Sequence, residues 1–265
     1  MNRLLTTAAG LAIAGTRELA RLVVPVCCPG CGRDDVRWCD ECEAPWWEPP
    51  YRSEENAPRL HRLGDVPLAV WSIVDLEGSP QLMIEAWKDA HRRDLDSFFQ
   101  AAMTRAAGDV AVDVTTAHRI AVVPLPARRA STRRRGVDLP GMLATACARR
   151  WRDHGADAVM VPALTMRRGE SRGLSARERW RGAQQSMRLT RQVDPSRAVV
   201  LVDDVMTTGA TLAAARDRLE AAGTVVCAGL TLATAPMRSK SPAVGIGWES
   251  EADELSDTFD RRGGD

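Results

Sequence analysis

Residues Val199–Thr211 read V-V-L-V-D-D-V-M-T-T-G-A-T: an apolar run, two carboxylates, then a turn of small hydroxyl residues and glycine. The run 198–202 is short and β-branched, the pattern of a strand buried in a parallel sheet. Asp203 and Asp204 follow at its expected C-terminal end, the edge at which open α/β sheets place their ligands. Thr207, Thr208, Gly209 and Thr211 then supply hydroxyls and approachable N–H groups at a helix start, which favours an anion. Carboxylates do not hold phosphate, so the acidic pair must face sugar hydroxyls or a magnesium ion on the same ligand. Sugar, phosphate and metal together describe phosphoribosyl diphosphate. The plainer alternative is an acid pair that caps a helix beside a tight turn. An amphipathic helix over 212–222, Gly223 at its C′ position and a strand over 224–232 give the strand–turn–helix context that the ligand reading requires.

The 265 residues suffice for one medium domain with a small appendage. Hydrophobic content of 45% and charged content of 27% are those of an ordinary globular chain. The net charge of +1 hides an uneven distribution. Residues 119–191 hold seventeen arginines against five acids, about +12, so the rest sums to about −11. Lys88 and Lys240 are the only lysines. Guanidinium forks suit phosphate, whether of a nucleotide or of a nucleic-acid backbone. No Walker A sequence, G-x-G-x-x-G or H-E-x-x-H occurs, which removes the commonest ATPase, dinucleotide and zinc-protease readings. His61, His91, His118 and His154 are scattered and read as surface or interface residues.

Four of the seven cysteines form Cys28-x2-Cys31 and Cys39-x2-Cys42. Two such knuckles seven residues apart fit a tetrahedral thiolate site for structural zinc. A disulfide pairing is the alternative and needs an oxidising compartment. Cys27 adjoins the first knuckle and is a second candidate for its ligand position. Cys147 and Cys227 lie in apolar runs and read as core residues.

The apolar run 4–15 is too short to span a bilayer and continues into a charged amphipathic pattern. A helix over 2–24 explains it, with no transmembrane segment and a cytoplasmic location expected. The domains read as that helix (1–24), a zinc module (25–47) propped by Trp38, Trp46 and Trp47, a linker (48–67), a main domain (68–236) and a polar tail (237–265). Strands are expected over 68–76, 120–125 and 158–164. Helices are expected over 79–90, 93–107, 139–151 and 174–184. The alternation predicts an α/β fold with a parallel sheet and helices on both faces.

Taken in order, P-V-C-C-P-G-C-G (25–32), C-D-E-C (39–42), W-K-D-A-H-R-R (87–93), V-P-L-P-A-R-R (123–129), R-R-R-G (133–136), L-S-A-R-E-R (174–179) and the acid-pair motif resemble the ComF family. These are zinc-bearing proteins similar to the type I phosphoribosyltransferases, first associated with DNA uptake. The resemblance covers residues 2–235 and implies a type I phosphoribosyltransferase-like fold. It places Asp203 and Asp204 on the ribose hydroxyls, directly or through Mg2+. Val205, Met206, Thr207, Thr208, Gly209, Ala210 and Thr211 cradle the 5′-phosphate, where a side chain at Gly209 is expected to intrude. Arg128 or Arg129, in a loop from Pro124, balances the leaving diphosphate, and the segments 133–135 and 177–179 either close over the site or form a solvated basic face. The family's R-G-F-N-Q is here Arg135-Gly136-Val137-Asp138-Leu139; Gly182, Met187 and Ser171 replace its usual Asn, Phe and Gln. These departures fall where a second substrate would be read.

Three functions therefore stand at this stage. One is a phosphoribosyltransferase passing the sugar to a nitrogen acceptor; another is a non-catalytic sensor of phosphoribosyl diphosphate or a nucleotide. The third, implied by the resemblance, is an accessory factor of DNA uptake that binds single-stranded DNA and has DNA-uptake or helicase-type protein partners. Only Trp151 and Trp180 stand in the basic region to stack bases, which weighs against the third.

Overall fold

Parallel pairing organises the molecule. The computed structural model describes residues 26–61, 67–110, 118–127, 136–166 and 186–236. Eight strands occur among them: β1 (Tyr51–Arg52), β2 (Ala69–Asp75), β3 (Arg119–Pro124), β4 (Asp157–Met160), β5 (Leu164–Met166), β6 (Met187–Leu189), β7 (Ala198–Met206) and β8 (Val225–Thr234). Six form one sheet in the order β1-β2-β8-β7-β3-β4. All its neighbours run parallel except the two-residue edge strand β1. β5 and β6 pair antiparallel in a separate ribbon.

The central strands β3 and β7 are buried on both faces, and the period of two divides their side chains between two cores. Ile120, Val122, Val200 and Val202 join one, with α2 (Gly78–Lys88), α3 (Leu95–Asp109) and α4 (Leu139–Asp153). Ala121, Val123, Val199 and Leu201 join the other, with α5 (Ala210–Glu220). A mostly parallel sheet with helices on both faces is thus present, as the strand–helix alternation predicts.

Three boundaries differ from the sequence reading, each for a physical reason. The single strand expected over 158–164 is split into β4 and β5, because Pro162 has no N–H to donate to a ladder. The acid pair does not follow β7 but lies within it, since β7 continues to Met206 beside β8. The segment expected to be a linker (48–67) is, in its described part, built into the fold. β1 pairs with β2, and Ser53, Ala57 and Leu60 are buried.

A short helix, α1 (Asp40–Glu43), carries the second cysteine knuckle. Trp38, Trp46 and Trp47 do not form a core of their own. Their rings stack on Phe98 at 5.1, 6.0 and 6.0 Å, and Trp46 also meets Phe99 at 4.9 Å, so the module is fixed to α3. The expected helices over 2–24 and 174–184 and the tail over 237–265 lie outside the described residues. Among the described residues no helix is long and apolar enough to cross a membrane.

Candidate functional site

The cysteine cluster is assembled by two tight loops. Cys28 N–H donates to Arg33 O and Gly32 N–H to Cys28 O, closing the first loop; Cys42 and Glu43 N–H donate to Cys39 O, closing the second. Gly30 is required by close approach. A Cβ there would lie 2.7 Å from Cys42 Sγ and 3.0 Å from Ser79 Cβ. The Sγ atoms of Cys28, Cys31, Cys39 and Cys42 all lie within 4.8 Å of one another and can hold a metal ion. Cys28–Cys39 is 3.8 Å and Cys31–Cys39 is 3.6 Å. Those values match the edge of a tetrahedral tetrathiolate site, about 3.8 Å for metal–sulfur bonds of about 2.3 Å. They are far from a disulfide, whose sulfurs sit about 2.05 Å apart. Cys27 is exposed and stands outside the cluster, which decides between it and Cys28.

The three buried thiols, Cys28, Cys39 and Cys42, are electrostatically unequal. Burial pushes Cys28 up, but the N–H groups of Cys39, Gly30 and Cys31 outweigh it and leave this thiol at about 6. Cys42 is pushed up to about 12, by burial first and then by sharing its surroundings with Cys39, Cys28 and Cys31. Cys28 is thus poised to ionise ahead of Cys39 and Cys42. A bound cation would draw off the remaining protons.

The second assembly stands at the C-terminal edge of the sheet. Asp203 is aligned with Thr231 of β8, and Asp204 N–H donates to Asp203 Oδ1 at 2.9 Å. Across the pair the apolar alternation of β7 changes phase: Val202 and Val205 belong to one core, Leu201 and Met206 to the other. The two carboxylates therefore stand where both cores meet the C-terminal end of the strand, in unbroken register with β8. Part-buried Asp203 is held well above the usual carboxylate range, by burial first and by the charge of Asp204 second.

Two residues that the sequence reading did not assign to the site join it here. Lys88, the last residue of α2, places Nζ 2.9 Å from Asp204 Oδ2. Asp138, capping α4, feels the Asp204 charge. Desolvation first and that charge next raise its carboxyl, while the Gly141 N–H opposes them. Lys88 carried a signal in the sequence, as one of only two lysines among 36 basic residues. Asp138 carried one only as a departure from the pattern of the family that the chain resembles.

After β7, Thr207 and Thr208 are exposed and Gly209 caps α5 with φ 73°. Ala210 N–H donates to Thr208 Oγ1 at 3.4 Å, and Thr211 follows in the first turn of α5. Pro124 pairs with Val202, and Leu125 N–H donates to Val202 O, so the segment after β3 departs beside the acid pair. Arg128 and Arg129, and the segments 133–135 and 177–179, lie outside the described residues.

The turn has an unexpected neighbour. Arg59 N–H donates to Thr208 O, and a Cβ on Gly209 would lie 2.8 Å from both Ala57 Cβ and Leu60 Cγ. The expectation that a side chain at Gly209 would meet the ligand is therefore corrected: it would meet the 57–60 segment. Gly209→Val is expected to cost about 2 kcal/mol or more through left-handed backbone and overpacking, read as a lowered melting temperature without ligand. Unchanged stability would show that the 57–60 segment yields freely.

Comparison with known proteins found no matching family model and no matching curated protein.

Proposed function

We propose that this chain is a phosphoribosyltransferase-like protein of the ComF type, which binds phosphoribosyl diphosphate with magnesium and carries a structural zinc ion. One observation carries the reading: the acid pair and the hydroxyl turn stand together at the C-terminal edge of a central parallel strand, where such folds hold ligands. The finer fold assignment, a type I phosphoribosyltransferase-like domain, belongs to the same proposal. Zinc is the metal chosen because four thiolates at tetrahedral spacing match its preferred donors.

In this reading Asp203 and Asp204 take the ribose hydroxyls, and Thr207, Thr208 and Thr211 receive the 5′-phosphate at the start of α5. Magnesium, when bound, supplies positive charge to the diphosphate. Transfer forms a bond from a nitrogen nucleophile to the anomeric carbon and breaks that carbon's bond to diphosphate. The bonding pair leaves with diphosphate, and the nitrogen gives up its proton. Arg128 and Arg129 are assigned to the charge of the leaving group. The single-stranded-DNA reading rests on the zinc module and the arginine-rich face; Arg133, Arg134 and Arg135 of that face lie outside the described residues, and nothing in the described part favours that reading.

The test is calorimetric titration with phosphoribosyl diphosphate, with and without Mg2+, followed by a diphosphate-release screen across nucleobases and amines. Magnesium-dependent binding is expected. Its absence at millimolar ligand would remove the reading, and binding without release would leave a sensor.

A further inference from the structure

The motif Trp87–Arg93, W-K-D-A-H-R-R, reaches from one assembly to the other. At its start, Trp87 is fully buried, stacks on Phe99 at 4.5 Å and donates from Nε1 to Asp96 at 2.7 Å. Lys88 then ends α2 against Asp204. The chain reverses tightly: Asp89 N–H donates to Glu85 O, Arg92 N–H to Ala86 O and Arg93 N–H to His91 O. His91 is held at φ 56°, a conformation unfavourable for a side-chain-bearing residue.

Arg92 completes the connection. Its Nη1 donates to Cys27 O at 2.9 Å and its Nη2 to Arg37 O at 3.2 Å. Cys27 precedes the first cluster cysteine, and Arg37 lies two residues before Cys39, so one guanidinium spans both knuckles. A bidentate pair with Asp94, at 2.9 Å through Nε and Nη2, fixes the fork in that orientation. The opposite end of α2 meets the same unit, with Ser79 beside Gly30 and its side chain hydrogen-bonded to Cys42. The helix that delivers Lys88 is thus gripped near both ends by the cysteine unit.

We propose that the cysteine cluster acts on the acid pair at a distance: metal bound there sets the position of Lys88 against Asp204 through the Trp87–Arg93 strap. Lys88 is then a positioning residue for Asp204, and Arg92 is the latch. Without metal nothing draws the four sulfurs to one point, so the two knuckles separate and one rigid fork can no longer reach both carbonyls. The left-handed turn at His91 relaxes, and the end of α2 withdraws from Asp204. The consequence for ligand rests on the phosphoribosyl reading of that edge; the coupling itself does not.

The experiment uses the full, metal-loaded chain and separates the two. Hydrogen exchange without ligand is followed in peptides covering 26–42, 84–94 and 200–207 for wild type, Arg92→Met and Lys88→Met, with metal content measured in each. Arg92→Met is expected to retain its metal and raise exchange about 5-fold or more in both peptides. Lys88→Met should raise it in 200–207 and leave 26–42 unchanged. Arg92→Lys serves if Arg92→Met loses metal, because it keeps the charge but has no fork to bridge two carbonyls. With phosphoribosyl diphosphate and Mg2+, the Lys88→Met, Arg92→Met double variant should bind no more weakly than Lys88→Met alone, and Lys88→Arg should recover most of the affinity. Wild-type exchange in 200–207 in a metal-retaining Arg92 variant overturns the proposal, as do additive effects of Lys88 and Arg92. If no protein binds the ligand, the phosphoribosyl reading falls and the exchange data still decide the coupling.

Discussion

Asp203→Asn is expected to abolish magnesium-dependent binding of phosphoribosyl diphosphate and, in the same protein, to raise thermal stability at neutral pH. The two effects share a cause. Asp203 is held above its ordinary value of 3.8 by burial and by the neighbouring Asp204 charge. Between 3.8 and the raised folded value, the unfolded chain has lost a proton that the native chain still holds. This group's contribution to stability is therefore present at low pH and lost as pH rises through the folded value. Above it, the ionised carboxylate is a net cost that only a cation or a sugar hydroxyl can offset. Asparagine keeps the shape and removes the charge. A higher melting temperature is expected at pH 7.5, and the gain should vanish toward pH 4.

Asp204→Asn should lose ligand binding equally but not gain stability, because it gives up the 2.9 Å pair with Lys88. Melting temperatures are thus expected in the order Asp203→Asn, wild type, Asp204→Asn, while both variants lose the titration heat. Thermal scans from pH 4 to 8 beside calorimetry check this. Undiminished binding in both variants would reduce the motif to a turn. A destabilised Asp203→Asn would show that the carboxylate has a structural partner instead.

The place of the acid pair near the end of a buried strand was legible because strand, carboxylates and turn lie within thirteen consecutive residues, with the helix and the next strand directly after them. The cysteine cluster was legible for the same reason, since both knuckles are local and their spacing is diagnostic. Helix ends were nearly so: α4 begins at Leu139 as expected, while α2 and α3 ran one to two residues from their expected limits. What could not be read were juxtapositions made by the sheet. Lys88 is 116 residues from Asp204 in the chain, and only the order β2-β8-β7 carries α2 to that edge. Arg92 reaches Cys27 across 65 residues for a similar reason. The segment 48–61 looked like a linker because its prolines and charges show no period. Its order comes from Ser53 hydroxyl bonding to Ser72 at 2.7 Å and from Ala57 and Leu60 resting on Gly209, contacts that no local pattern encodes.

Exchanging Cys39 and Cys42 for Ser is expected to have the largest effect on stability. The unit 26–47 has little core of its own: its buried hydrophobic side chains are Cys28, Cys39, Cys42 and Trp46, and three of these belong to the cluster itself. Small units of this kind take their folding free energy from the metal, on the order of 10 kcal/mol in zinc-binding peptides. Here the loss would spread, because Trp38, Trp46 and Trp47 stack on Phe98 and Phe99 of α3, and α3 is part of the larger core. Protein purified without added metal should contain about one zinc per chain, and the double variant none. Its melting temperature should fall by about 10 °C or more, if several kcal/mol are lost at roughly 2–4 °C each. Tryptophan emission should shift to the red as fully buried Trp46 meets water. A wild-type protein that is metal-free, with Cys28, Cys31, Cys39 and Cys42 oxidised in pairs, would overturn the zinc assignment. It would also remove the expected cytoplasmic location, because the same four sulfurs would then report an oxidising compartment.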